Sequence, residues 1–542
     1  MIPKETAYLR AYTMDWNTPE SDSLHLEYSY KNDNEYWFAL NGGNGIFFPS
    51  VGSCQLDSPH IVKNNDGTFT IVGKDRKDSS MSIKFETKDF ITYYNECLIN
   101  TPSASDTYAK LHTNAPVEIS LDILEGLKNK WGAPEPVTPL SEMFLSLKKG
   151  STLPSQLEVP LTNGGTALYR MDWGDFTDKT ITESAEICAH AVEHRYCNPL
   201  IYNRADPFIY KHTDGYYYFT ASHTDPAHNL DGKYQYRKII LRKAASLDSL
   251  ADNSGCYEEI CVFEREPLAN GASPHIWAPE IHFIRGKWYI YFTTTISDNS
   301  PWDIRPHVLE CADTDPMTGI WKNLGMLQKA CPNSPAFTGF SLDHTVFEHK
   351  GELYLVWAQN YPKYSCLLLS KMSNPWTIDG PSVVIAEPEY NWETHGFKVC
   401  EGPSIIKRNG KIFLIYSASG TDALYCLGML TADANSDLIN PASWTKTPYP
   451  VLQSSRENGQ FGPGHNSFTT DEYGNDIIVF HARQEERYLA QPKYQPLYDA
   501  GRNASIMRFF WNPDGTPNFT IPRPSGPQSD SYTQIKIKIT LE

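Results

Sequence analysis

The chain is short of positive charge. Its 47 Lys and Arg stand against 64 Asp and Glu, a formal net charge of −17 over 542 residues. That balance argues against nucleic acid and anionic membrane surfaces as partners and leaves neutral, sugar-like ligands open. No run of about 18 apolar residues occurs, so no segment reads as a membrane-crossing helix. The 11 cysteines include no C-x-x-C pair and are odd in number, which argues against a disulfide framework, so reduced and mostly buried thiols are expected. Met1-Ile-Pro-Lys-Glu-Thr6 lacks a basic stretch followed by an apolar one, so the expected location is cytoplasmic, or secreted if the chain has been trimmed.

What is abundant points the other way, to strands. Aromatics make up 13% of the residues, with 32 Tyr and 13 Trp, alongside 34 Gly and 38 Pro. Many short strands joined by tight turns fit this better than long helices do. The length calls for two or three domains.

One stretch sets the pattern. Arg204-Ala-Asp-Pro-Phe-Ile-Tyr210 runs into Asp214-Gly215 and then Tyr216-Tyr-Tyr-Phe-Thr220, which is a strand, an Asp-Gly turn and a second strand. The carboxylate of Asp206 stands at the mouth of the first strand. Similar units recur at intervals of about 60–75 residues, led by Glu280, Asp343, Glu401 and His465. Each holds roughly four strands, and five such units stack into an all-β, five-bladed propeller without a long exposed sheet edge. The five lead residues are then expected to face one shared depression.

Upstream, residues 1–112 read as a degenerate propeller-like β region. Pro59 there matches Pro207 and Asp66-Gly67 matches Asp214-Gly215, but Ser58 stands where the acid would be. Leu121 to Trp131 has the three- and four-residue apolar spacing of a short amphipathic helix, and with the Pro-rich 133–139 it fills a linker over 113–140. Residues 141–190 form a small β-rich segment, and 191–542 carry the propeller. The order "KKGSTLPSQLEVPLTNGG…MDW" in the small segment resembles bacterial immunoglobulin-like modules, which implies a structural spacer.

A ring of acids at strand starts has three readings. It is a carboxylate pair for acid and base catalysis as in glycoside hydrolysis, a hard-metal site, or a set of solvated turns. Spacing alone leaves them level. Trp277, Trp302, Trp392 and Tyr361 crowd the same loops, and their ring faces and polar edges suit a sugar.

The strings "RADPFIYKHTDGYYYFTAS", "IWAPEIHFIRGKWYIYF", "SLDHTVFEHKGELYLVW", "CEGPSIIKRNGKIFLIYSAS", "GPGHNSF" and "FHARQ" together resemble glycoside hydrolase family 43, in order and spacing, over residues 195–525. The resemblance implies an exo-acting, inverting glycosidase that releases a pentose. An α-L-arabinofuranosidase on arabinan or arabinoxylan fragments is the expectation, with β-xylosidase and an inactive carbohydrate-binding propeller as alternatives. By motif it implies Asp206 as general base, Glu401 as general acid and Asp343 as the acid that raises and orients Glu401. Inversion implies about 6.5–9.5 Å between the Asp206 and Glu401 carboxyls. The same resemblance implies substrate contacts from Trp277, His344 and Arg483, and a supporting role for Glu280 at the funnel floor, bonded to backbone. It also implies a structural cation such as calcium near His465, with no cofactor in the chemistry.

Overall fold

The computed structural model describes residues 6–30, 36–102, 115–137, 143–230 and 233–542. Five successive sheets, antiparallel in their main strands, occupy residues 204–508. Their first strands are Arg204–Lys211, Trp277–Ile284, Ser341–His349, Cys400–Arg408 and Phe461–Thr470, and each pairs with the strand that follows it in sequence.

These strands are apolar on both sides because both sides are covered. In Lys287–Thr295, Trp288, Ile290 and Phe292 enter the core shared with the first sheet, while Tyr289 and Tyr291 enter the core shared with the third. A two-residue period serves two cores at once. Separate cores likewise lie between the third and fourth sheets, the fourth and fifth, and the fifth and first. The result is a closed ring, a β-propeller. Closure is sealed by the segment before the first sheet. Ile201 pairs with Ala504 on the third strand of the fifth sheet, and Asn198 brackets Ile506 with hydrogen bonds of 2.8 and 2.9 Å.

Every innermost strand carries a bulge with one residue in the left-handed region. These residues are Asp206 (φ 54°), Ala278 (φ 45°), Asp343 (φ 48°), Gly402 (φ 55°) and His465 (φ 38°), each at a break in pairing register. For a non-glycine residue this conformation costs on the order of 1 kcal/mol, and strain of this kind gathers at functional sites. It also corrects the sequence alignment. Asp206, Asp343 and His465 sit on the bulge, but Glu401 precedes its bulge residue and Glu280 lies two positions beyond. The five lead residues are therefore not equivalent.

The N-terminal unit has two four-stranded sheets on one shared core, with the helix Leu121–Trp131 packed against it. The helix begins where Ser120 Oγ accepts the Ile123 N–H and stops at Gly132. Only the second sheet, Leu56–Lys63 through Tyr93–Asn100, is a sequential meander like the blades; in the first, Val117–Ser120 returns to pair with Thr6–Tyr12. The stretch 88–92, between the last two strands of the second sheet, is a turn, because Asp89 Oδ1 accepts the N–H groups of Ile91 and Thr92. Trp16 anchors the unit by entering the core between the third and fourth blades, and Asn391 N–H donates to Asn17 Oδ1 at 2.7 Å.

The small sheet differs from its expected bounds. Its order is Gln156–Pro160, Thr166–Asp172, Ala185–Glu193, Ser531–Leu541 and Met143–Leu147. The final strand, assigned from sequence to 191–542, belongs here: Ile535, Ile537 and Ile539 complete the core that Val159, Tyr169 and Ile187 begin. The expected start at 1–5 and the linker end at 138–142 lie outside the described residues. All eleven cysteines are free, but six of them (Cys54, Cys97, Cys188, Cys256, Cys261 and Cys331) are exposed rather than buried.

Candidate active site

A cavity of about 460 Å³ opens at the bulge end of the ring, and Asp206, Asp343, Glu401, His465, Trp277 and Arg502 are among the residues that line it. Four of the five sequence-selected lead residues thus meet in one place. Glu280 does not reach it.

Asp206 is buried and heavily bonded. Ser222 Oγ donates to its Oδ2 at 2.5 Å, Arg502 Nη1 lies 3.3 Å from Oδ1, and its backbone N–H donates to His481 Nδ1 at 3.1 Å. Burial alone would raise its pKa. The Arg502 guanidinium, helped by His465, His481 and the Ser222 hydroxyl, overcomes that and holds the carboxyl down at about 2. Asp206 is therefore an ionised base at every ordinary pH.

Glu401 and Asp343 behave oppositely. Burial, aided by the charge of Asp206, pushes Glu401 up to about 7 against the opposing hydrogen bond that Tyr425 Oη donates to Oε1 at 2.8 Å. Asp343 is pushed well above the usual carboxylate range by burial and then by Glu401 and Asp206, although the Gly402 N–H donates to its Oδ2 at 3.2 Å. Two carboxyls this closely coupled titrate as a pair. Burial and mutual repulsion keep the pair protonated up to about neutral pH.

Trp277 lines the cavity, its ring 4.4 Å from His275 and 6.2 Å from the half-exposed Trp302. Other expectations are overturned. Arg483 does not reach the acids. Its Nε binds Asp499 Oδ2 at 3.1 Å and its Nη2 donates to the Pro496 carbonyl at 3.0 Å, so it holds the loop ahead of Arg502. His344 follows the bulge residue and points away from the cavity; it packs edge-on against Tyr291, and burial lowers its pKa to about 3. Glu280 bonds a side chain rather than backbone, taking its hydrogen bond from His282 Nε2 at 2.9 Å. Trp392 is buried and donates to the Pro448 carbonyl, and Tyr361 is not among the cavity's lining residues.

His465 places Nδ1 at 3.5 Å from Asp206 Oδ1 and 3.6 Å from Asp343 Oδ2. Among the described residues no group of three or more His, Cys, Asp or Glu is disposed to hold a metal ion. The cation expected near His465 is thus not supported by a set of three such side chains, and the imidazole stands between the two acids.

Sequence reading missed Arg502, Tyr425, Ser222 and His481. Arg502 also donates to Tyr236 Oη at 3.2 Å, which fixes its plane. The string "GRNAS" reads from sequence only as part of a closing strand, and nothing in it singles out Arg502. Tyr425 carried no signal either.

Comparison with known proteins agrees with this geometry. The chain is 47% identical over 336 residues to an extracellular exo-α-(1→5)-L-arabinofuranosidase of Streptomyces avermitilis, covering 61% of this chain and 64% of that protein. It is 42% identical over 375 residues to α-L-arabinofuranosidase 43 of Humicola insolens, covering 68% and 71%. The chain thus spans less than two thirds of the Streptomyces protein's length. The crystal structure of an α-L-arabinofuranosidase from Lactobacillus brevis superposes with a TM-score of 0.54 at 43% identity, over 61% of this chain and 98% of that one. The sequence pattern described as "Glycosyl hydrolases family 43" matches residues 196–517, the five sheets that surround Asp206 and Glu401, and by that match the chain belongs to this family.

Proposed function

We propose that the protein is an exo-acting α-L-arabinofuranosidase that hydrolyses with inversion, taking terminal or side-chain arabinose from arabinan or arabinoxylan fragments. The observation that carries this is the opposite acidity of two carboxyls in one cavity: Asp206 near 2 and Glu401 near 7. Such a division is what acid and base roles require.

Asp206 accepts a proton from water as the water oxygen bonds the anomeric carbon. The glycosidic bond breaks, and Glu401 gives its proton to the leaving oxygen. Asp343 keeps that proton available, because a second negative charge on the buried pair is strongly disfavoured. None of these steps uses a cofactor. Trp277 and Trp302 offer ring faces to the sugar, and Arg502 offers donors beside the base. The relatives' names favour arabinose over xylose.

Chromogenic α-L-arabinofuranoside and β-xyloside, assayed with wild type, Asp206→Ala and Glu401→Ala, test the reading, with the product anomer followed by NMR. Preference for the xyloside moves the assignment to β-xylosidase. Sugar binding without turnover by the wild type makes it a binding propeller. Activity surviving both substitutions removes the two acids from their roles. Two Streptomyces relatives are named extracellular, and we extend that location to this chain in place of the cytoplasmic expectation. Immunodetection in medium against cell lysate of the native host decides it.

A further inference from the structure

A second cleft lies beside the catalytic cavity. It runs between the N-terminal unit and the fourth and fifth blades and holds about 970 Å³. Tyr12, Glu20, Asn44 and Trp131 line one wall, and Tyr449 and Tyr488 line the other. Tyr425 lines both this cleft and the catalytic cavity, and the loop at 395–396 is divided between them, His395 to the cleft and Gly396 to the cavity. The two spaces therefore abut.

The chemistry of the walls fits a saccharide. Three polar atoms on the N-terminal wall, Glu20 Oε2, Asn44 Oδ1 and Trp131 Nε1, are shielded from solvent without a hydrogen-bond partner. An unpaired polar atom of this kind is costly until a ligand or water satisfies it, and hydroxyls and ring oxygens supply both senses of hydrogen bond. The rings of Tyr12, Trp131, Tyr449 and Tyr488 are half-buried. Arg456 on the cleft is already paired with Glu486 at 2.6 Å, while the Glu20 carboxylate keeps an oxygen free to accept a hydroxyl.

We infer that this cleft is a second saccharide site, which receives the leaving-group portion of an arabinofuranosyl chain whose terminal sugar lies between Asp206 and Glu401. The direction comes from Tyr425. It is bonded to Glu401, the group on the leaving-oxygen side, so the space beyond Tyr425 receives what departs. The N-terminal unit then contributes one wall of a substrate path although its own repeat carries no acid. The inference rests on the proposed function, and its test separates the two.

Trp131→Ala and the isosteric Glu20→Gln are compared with wild type on an aryl α-L-arabinofuranoside, which has no chain, and on linear α-(1→5)-arabino-oligosaccharides of increasing length. The expected result is aryl substrate kinetics within about twofold of wild type and a KM for the longer oligosaccharides raised about tenfold with kcat held, matched in calorimetry by weaker oligosaccharide binding to the Asp206→Asn background. KM values that move together for both substrates, or that move for neither, overturn the cleft assignment. Absence of turnover by wild type on any arabinofuranoside overturns the proposed function instead. Calorimetry of the oligosaccharide on wild type and Trp131→Ala then still reads the cleft, and equal affinities overturn it.

Discussion

Ser58 and Asp206 occupy the same piece of backbone. Each sits at a left-handed bulge, φ 47° and 54°, each precedes a proline, and each leads to an Asp-Gly turn whose glycine has φ 84° or 89°. Even the turns' hydrogen bonds agree: Gly67 N–H to the Asn64 carbonyl and Gly215 N–H to the His212 carbonyl are both 3.1 Å. The surroundings differ completely. Ser58 Oγ donates to its neighbour Asp57 Oδ1 at 3.2 Å, from a half-exposed position. Asp206 meets Arg502, His465 and His481, all from the fifth blade, brought beside the first by ring closure. A repeat supplies a place for an acid; the closed ring supplies the field that sets its pKa.

The comparison is broken most severely by exchanging each residue for alanine. Asp206→Ala should lower kcat/KM by about 10²–10⁴, the range for a lost general base, while Ser58→Ala leaves it unchanged. Steady-state kinetics on the aryl arabinofuranoside reads both. Removing the field rather than the acid comes next. Arg502→Met leaves the buried Asp206 charge uncompensated, at a cost of roughly 3–5 kcal/mol in stability, measured by chemical denaturation. It also moves the acid limb of kcat/KM upward from about 2, because the chief group lowering that pKa is gone.

In the wild type, kcat/KM should fall as pH rises through about 7, where the Glu401–Asp343 pair loses its proton. A flat profile from pH 6 to about 9 would remove Glu401 as the acid. Tyr425→Phe gives a smaller effect of definite sign. The Tyr425 hydrogen bond favours ionised Glu401, so its loss raises the Glu401 pKa and shifts the basic limb to higher pH. Smallest of all is Ser58→Asp, which restores the acid to the N-terminal repeat. It should yield no activity in an Asp206→Ala background and change stability within about 0.5 kcal/mol, because nothing there sets a field.

The local parts of this molecule were legible in its sequence. Asp-Gly turns between aromatic runs marked the blades, the 121–131 helix appeared with its observed bounds, and Asp206, Asp343 and Glu401 announced themselves by motif. What failed was non-local or depended on parity. Arg502 lies 296 positions from Asp206, and only closure of the ring says which arginine of the fifth blade arrives. Arg483 was the natural choice by motif, yet the loop between the two arginines claims it through Asp499 and Pro496. A bulge shifts alternation by one residue, so His344, the position after it, turned away from the cavity. Tyr425 stands in a run with no polar neighbour pattern to mark it.

The small sheet at 143–193 takes its fourth strand from residues 531–541, which run parallel to Met143–Leu147 and antiparallel to Ala185–Glu193. During synthesis the first strands of that sheet emerge early and must wait, with Ile187 and Tyr169 uncovered, until some 340 further residues have been made. Residues 531–541 thus act as a late clasp: until they arrive the sheet lacks the strand that joins Met143–Leu147 to Ala185–Glu193, and its apolar face stays open.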